Sequence, residues 1–147
     1  MKTILEKLIR IEKEMTADKG PFVLFAFFLR EDAPDLWDLI VSAPWITKDE
    51  LDSLKYVAGK VQGVLSAEEL LKISRIVIIE EDNPALEAIN RAINIEHGTA
   101  EIFNNNFFGL EIKHGFIITS RRDGSPPPGI QSDVAMNITS KSGSVDL

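Results

Sequence analysis

The chain predicts one α+β (or α/β) domain on a mixed, mostly antiparallel sheet of about five strands with helices packed on it. Three observations carry that prediction. Phe22 to Leu29, FVLFAFFL, is apolar on both alternating sets, as a strand covered on both faces would be, and Arg75 to Ile79, RIVII, reads as a second interior strand. Stretches with apolar residues three and four apart precede and separate these runs. From Ala100 to Ser120 the period returns to two.

In order, Ile4, Leu8, Ile11 and Met15, with Leu5 and Ile9 beside them, lay one apolar stripe along a helix from about Lys2 to Asp18, and Gly20-Pro21 stops it. Phe22 to Leu29 follows, then the turn-rich link Glu31-Asp32-Ala33-Pro34-Asp35, so that Leu36 to Ala43 returns antiparallel as a hairpin. Trp37, Leu39, Val41 and Ala43 share one face of this strand, and Asp38, Ile40 and Ser42 the other.

Thr47-Lys48-Asp49-Glu50 matches a capping box, in which hydroxyl and carboxylate each satisfy an orphan backbone N–H, and predicts a helix over about Lys48 to Val64. Ser66-Ala67-Glu68-Glu69 is a second such box, opening a short helix through about Lys72. After RIVII, Asn83-Pro84 supplies a cap and a first-turn proline, with Leu86, Ile89, Ala92 and Ile93 as the buried side of the helix. Leu110, Ile112, His114, Phe116 and Ile118 then form one face of a strand and Glu111, Lys113 and Thr119 the other, Gly109 dividing the region in two. The domain is expected over residues 1–120. Residues 121–147, rich in Pro, Gly and Ser, form a tail that buries too little to offset its ordering entropy.

The composition narrows the function. At 147 residues the chain can build a core without staples, and Lys+Arg 16 against Asp+Glu 23 gives a net charge of −7. The excess lies in residues 21–120, with eight Lys+Arg against sixteen Asp+Glu. Nucleic acid and anionic membranes are therefore poor partners. Cysteine is absent, which removes thiolate chemistry and disulfides. The longest apolar run falls short of the roughly 20 residues that span a bilayer. A cytoplasmic protein is the expectation.

Chemistry has few places to sit. Glu31, Asp32, Asp35 and Asp38 would offer oxygen ligands to Mg²⁺, with Asp35 and Asp38 as the metal set; charged loop tips are more often solvated turns. Glu80-Glu81-Asp82 ends RIVII, and a single crossover would place it at the opposite edge of the sheet from the hairpin turn. Glu111-Ile112-Lys113 has the Glu-x-Lys form of PD-(D/E)XK nucleases, with Asp38 as the distant acid, against the commoner reading of a solvated cross-strand charge pair. His114 reads as a core histidine with a hydrogen-bond partner and His97 as a loop residue, so zinc is not expected. Asn104-Asn105-Asn106 reads as turn or edge-strand chemistry. Neither a phosphate-cradling Gly-rich loop nor a nucleophile elbow occurs.

LFAFFLREDAPDLWDLIV resembles a degenerate copy of the signature of minimal nucleotidyltransferases, the DNA-polymerase-beta-like enzymes of prokaryotic toxin–antitoxin pairs. That pattern runs Leu-Phe-Gly-Ser, a basic turn, then Asp-x-Asp-Leu-hydrophobic-Val, after a helix and before a helix and a strand bearing a third carboxylate. Leu24-Phe25 and Asp38-Leu39-Ile40-Val41 fit it; Ala26-Phe27 replace Gly-Ser, Leu36 replaces the first Asp, and RIVII carries no acid. Without the glycine, the serine and the paired carboxylates, the resemblance implies a fold that has lost phosphoryl transfer. The phrases LREDAP, WDLIVSAPW and GLEIK are also similar to those of small prokaryotic proteins, some labelled antitoxin components.

The leading expectation is a non-catalytic binding or regulatory protein, antitoxin-like, with no cofactor. It would associate with itself or a protein partner through Trp37, Trp45, Phe107 and Phe108 as aromatic anchors. The alternative is a Mg²⁺-dependent phosphoryl-transfer enzyme centred on Asp38 with Glu111 and Lys113. The light tail after Ser120 carries Ile130, Val134, Met136 and Ile138, which would dock on a neighbour.

Overall fold

The structure, a computed structural model, describes residues 1–32 and 35–121; the tail expectations for residues 122–147 lie outside the described residues. Helix α1 (Lys2–Lys19) buries the stripe Ile4, Leu5, Leu8, Ile11 and Met15, as its spacing requires. It ends at Gly20, whose φ of 119° suits a residue without a Cβ, and the Trp45 indole N–H donates to the Gly20 carbonyl at 3.0 Å. Strands β1 (Leu24–Arg30) and β2 (Trp37–Ser42) pair antiparallel as a hairpin, Phe28 opposite Asp38.

The connection to the next strand is helical, but not as its first capping box predicts. A short helix α2 (Pro44–Lys48) precedes α3 (Glu50–Val64), and the Thr47 hydroxyl donates back to the Ala43 and Pro44 carbonyls. Pro44, at the first position of a helix, starts α2 early, so Thr47 lies inside it, where a hydroxyl bonds the preceding turn. The second box forms as expected and opens α4 (Ala67–Leu70). There a hydrogen bond from Lys7 at 2.7 Å, with the Ser66 backbone N–H, holds the Glu69 carboxyl below its usual range.

Strand β3 (Ile73–Ile78) returns parallel to β2, and after it α5 (Pro84–Ala92) starts on Asn83, whose side chain accepts from Ala85 N–H at 2.9 Å. Leu86 and Ile89 are buried on α5 as expected, but Ala92 is exposed and Asn90 takes an inward place, donating to Ser120 Oγ and the Val23 carbonyl. Strands β4 (Ala100–Phe107) and β5 (Leu110–Ser120) form a second hairpin. Its two-residue loop, Phe108 (φ 57°) and Gly109 (φ 74°), has the two positive φ values of the tight hairpin turn that matches strand twist.

The five strands lie in the order β3-β2-β1-β5-β4. RIVII is therefore an edge strand, not an interior one: Ile76, Val77 and Ile78 are only half-buried, because β2 flanks the strand on one side and no described strand on the other, and Ile79 alone of its apolar residues is buried. Interior positions go to β1, β2 and β5. Two layers cover the sheet. Helices α1 and α3 pack on Phe25, Phe27, Trp37, Leu39, Val41 and Ile118; α5 and the β4–β5 hairpin cover Leu24, Ala26, Phe28, Ile40 and Ile117.

The single face expected for Leu110 to Ile118 is split. Register shifts against β1 send Leu110 and Ile112 to the α5 layer, and Phe116 and Ile118 to the α1 layer. The same irregularity turns Thr119, expected on the polar face, into a buried residue. Gly115 is required here: a Cβ would meet Phe28 Cδ1 at 2.7 Å.

Candidate functional site

Among the described residues two carboxylates lose all solvent contact, one in each layer. Asp38 lies on the α5 face of β2, with Arg75 opposite it on β3 and Arg30 at the end of the neighbouring β1. Arg30 Nε stands 2.8 Å and Arg75 Nη2 3.2 Å from the same oxygen, Asp38 Oδ2, and Arg30 also reaches Asp32 at 3.1 Å. Despite these short approaches, neither oxygen of Asp38, nor Arg30 Nε, nor the nearby-in-sequence Ser42 Oγ is in hydrogen-bond geometry with a partner among the described residues. The charge is compensated, but the hydrogen bonding is incomplete.

This geometry bears on the acidic set singled out in the sequence. Asp35 sits exposed at a positive φ of 69° on the hairpin turn, whereas Asp38 is sealed beneath two guanidinium groups. A divalent cation at Asp38 would meet two fixed positive charges, so the donor set fits Mg²⁺ poorly. Among the described residues no group of three or more His, Asp or Glu is arranged to hold a metal. Glu111 and Lys113 are both exposed on β5, two strands from Asp38 across β1. β3 runs parallel to β2, so Glu80-Glu81-Asp82 follows the end of the sheet remote from the β1–β2 turn, as expected.

The four aromatic anchors do not form one patch. Trp37 is a core residue stacked at 4.9 Å on Phe27 and 5.8 Å from Phe116. Trp45 is half-buried against Phe22 and Tyr56 beyond the other end of β2, a strand length away. Phe107 and Phe108 are half-buried in the opposite layer, Phe107 stacked on Phe28 at 6.0 Å. Among the described residues the exposed large apolar side chains are instead Met1, Leu36, Leu51, Leu71 and Phe103.

The second sealed carboxylate is Glu12 on α1. Its Oε2 accepts from Thr119 Oγ1 at 2.8 Å and Thr16 Oγ1 at 3.3 Å, and its Oε1 faces His97 Nδ1 in a short contact. His97 sits in the α5–β4 connection at φ 53°, and its backbone N–H donates to Thr119 Oγ1 at 3.1 Å. The imidazole keeps 31% of its side-chain surface in solvent while Glu12 keeps none. Its Nε2 makes no hydrogen bond among the described residues. A carboxylate fixing one ring nitrogen and leaving the other outward is the arrangement that sets a histidine's tautomer. His114 differs: its Nε2 bonds Glu101 at 2.6 Å and its ring stacks on Phe103 at 4.5 Å.

Sequence reasoning did not single out Glu12, Arg30 or Arg75. The signal for Glu12 was present, since Leu5, Leu8, Glu12 and Met15 step by three and four along the buried stripe. Arg30 and Arg75 had none beyond alternation, because their role depends on which strands become neighbours. Comparison with protein-family models, with curated proteins and with solved structures found no match to this chain.

Proposed function

We propose that the chain is a non-catalytic, protein-binding regulatory protein of the antitoxin-like kind, and that it takes its partner along the open edge of β3. The observation that carries this reading is the position of RIVII. A strand apolar on both faces is built to be covered, yet here it has one strand neighbour and half-buried side chains at Ile76, Val77 and Ile78. The Ile79 N–H bonds the Val41 carbonyl, so the alternation turns the Ile76 and Ile78 N–H groups away from β2. An extended segment of a partner, or β3 of a second copy, would pair with those groups by strand addition.

Two exposed leucines flank the entry to this edge. The Trp37 N–H bonds the Lys72 carbonyl at 2.8 Å, which brings together the segments carrying Leu36 and Leu71, 40% and 76% exposed. Burying one leucine fully is worth about 1.5–3 kcal/mol, enough to change a dissociation constant tenfold or more. No helix among the described residues is long and apolar enough to cross a membrane, and the acidic surface favours a protein over a nucleic acid.

The test is light scattering on the purified protein, alone and with the protein encoded next to it. The expected result is a dimer or a stable hetero-complex that Leu71→Lys weakens without unfolding the chain. A monomer in both samples overturns the reading.

A further inference from the structure

We propose that His97 is a phosphoryl-accepting site, with Nε2 as the nucleophile and Glu12 as its positioning residue. In the tautomer protonated at Nδ1 the ring donates to Glu12 and Nε2 carries the lone pair, with no hydrogen-bond partner among the described residues. Thr16 and Thr119 fix the carboxylate from its other oxygen, so the ring is held by a group that cannot rotate away. The non-glycine residue at φ 53° is anchored by its own N–H to Thr119, the kind of over-determined backbone found at working sites.

The choice of phosphoryl over acyl transfer follows from the donors around the ring. A tetrahedral acyl intermediate needs free N–H groups, but the His97 N–H is spent on Thr119 and the Gly98 N–H on the Ile118 carbonyl. A phosphoryl group needs a cation instead. Arg121 is paired with Glu96, the residue before His97, and a doubly charged phosphoryl group on His97 would compete with that single carboxylate for the guanidinium.

The step balances as a displacement at phosphorus. Nε2 attacks the phosphorus of a phosphoryl donor, the bond to the leaving group breaks, and the electron pair departs with that group, as ammonia when the donor is phosphoramidate. The ring becomes a cation whose Nδ1 proton stays on the bond to Glu12, and the buried carboxylate meets that charge.

The experiment incubates the full chain with phosphoramidate and follows intact mass and peptide mapping, His114 serving as the internal reference because its Nε2 is occupied by Glu101. The expected result is one phosphoryl group on His97, at a rate about tenfold or more above that of His114, falling toward the His114 rate in Glu12→Gln. His97→Asn keeps a donor for Glu12 and should fold while losing the label, which separates reactivity from a purely structural contact. Labelling of His114 alone, equal rates at both histidines, or a folded Glu12→Gln that labels as fast as the parent overturns the proposal.

Discussion

Asp38 and Glu12 are equally sealed from solvent and are handled in opposite ways. Asp38 is neutralised by two permanent cations that crowd one oxygen, while neither of its oxygens has a hydrogen-bond partner among the described residues. Glu12 is surrounded by two hydroxyls and an imidazole, so both of its oxygens are bonded. The first arrangement answers the cost of burying charge with charge; the second answers it with hydrogen bonds and leaves one ring nitrogen without a partner among the described residues. Strand positions explain the difference. Asp38 pairs directly with Phe28 and Arg75 and is met by arginine side chains of the two neighbouring strands, whereas Glu12 is met by a hydroxyl of its own helix, one of β5 and the His97 ring of the α5–β4 connection.

The largest break in this comparison comes from removing both cations. Arg30→Ala with Arg75→Ala should cost about 3–5 kcal/mol in chemical denaturation, because Asp38 is left buried without a counter-charge. Arg75→Ala alone should cost about 1 kcal/mol or less, since that side chain is 47% exposed and Arg30 still covers the carboxylate. If the two single losses add to the double, Asp38 is not the shared partner that links them.

On the other face, His97→Ala should cost about 2–3 kcal/mol by stripping Glu12 of a donor, and His97→Asn should recover more than half of that. Equal stability of the two variants would mean that the Nδ1 contact is not what satisfies Glu12. A smaller and sharper effect concerns Tyr56, the one tyrosine of the chain, whose hydroxyl donates to Asp18 at 2.7 Å. Burial and then that acidic neighbour push its phenol up to about 12, so its contribution to stability is present below pH about 10 and lost as pH rises from there to about 12. Asp18→Asn should lower the midpoint of the phenolate absorbance titration; an unchanged midpoint would remove Asp18 as a cause.

Much of the fold was legible because periodicity and turn chemistry are local. The stripe of α1, the β1–β2 hairpin, the Ser66 and Asn83 caps and the break at Gly109 all follow from residues within a few positions of one another. What was not legible depends on neighbours distant in sequence. RIVII looks the same at the centre or the edge of a sheet, and only strand order places it at the edge. The faces of β5 change at register shifts against β1, and no residue in Leu110 to Ser120 announces them. Candidate sites fared likewise: Asp38 was visible as a carboxylate on an apolar strand, but the arginines that close it come from two other strands.

The proposed docking edge of β3 is most directly tested by amide hydrogen exchange at Ile76 and Ile78, read in the free protein and in its assembled form. Fast exchange is expected at both when free and strong protection on assembly, with Val77 protected throughout by its place against β2. Assembly that protects other segments and leaves Ile76 and Ile78 exchanging as before would contradict it.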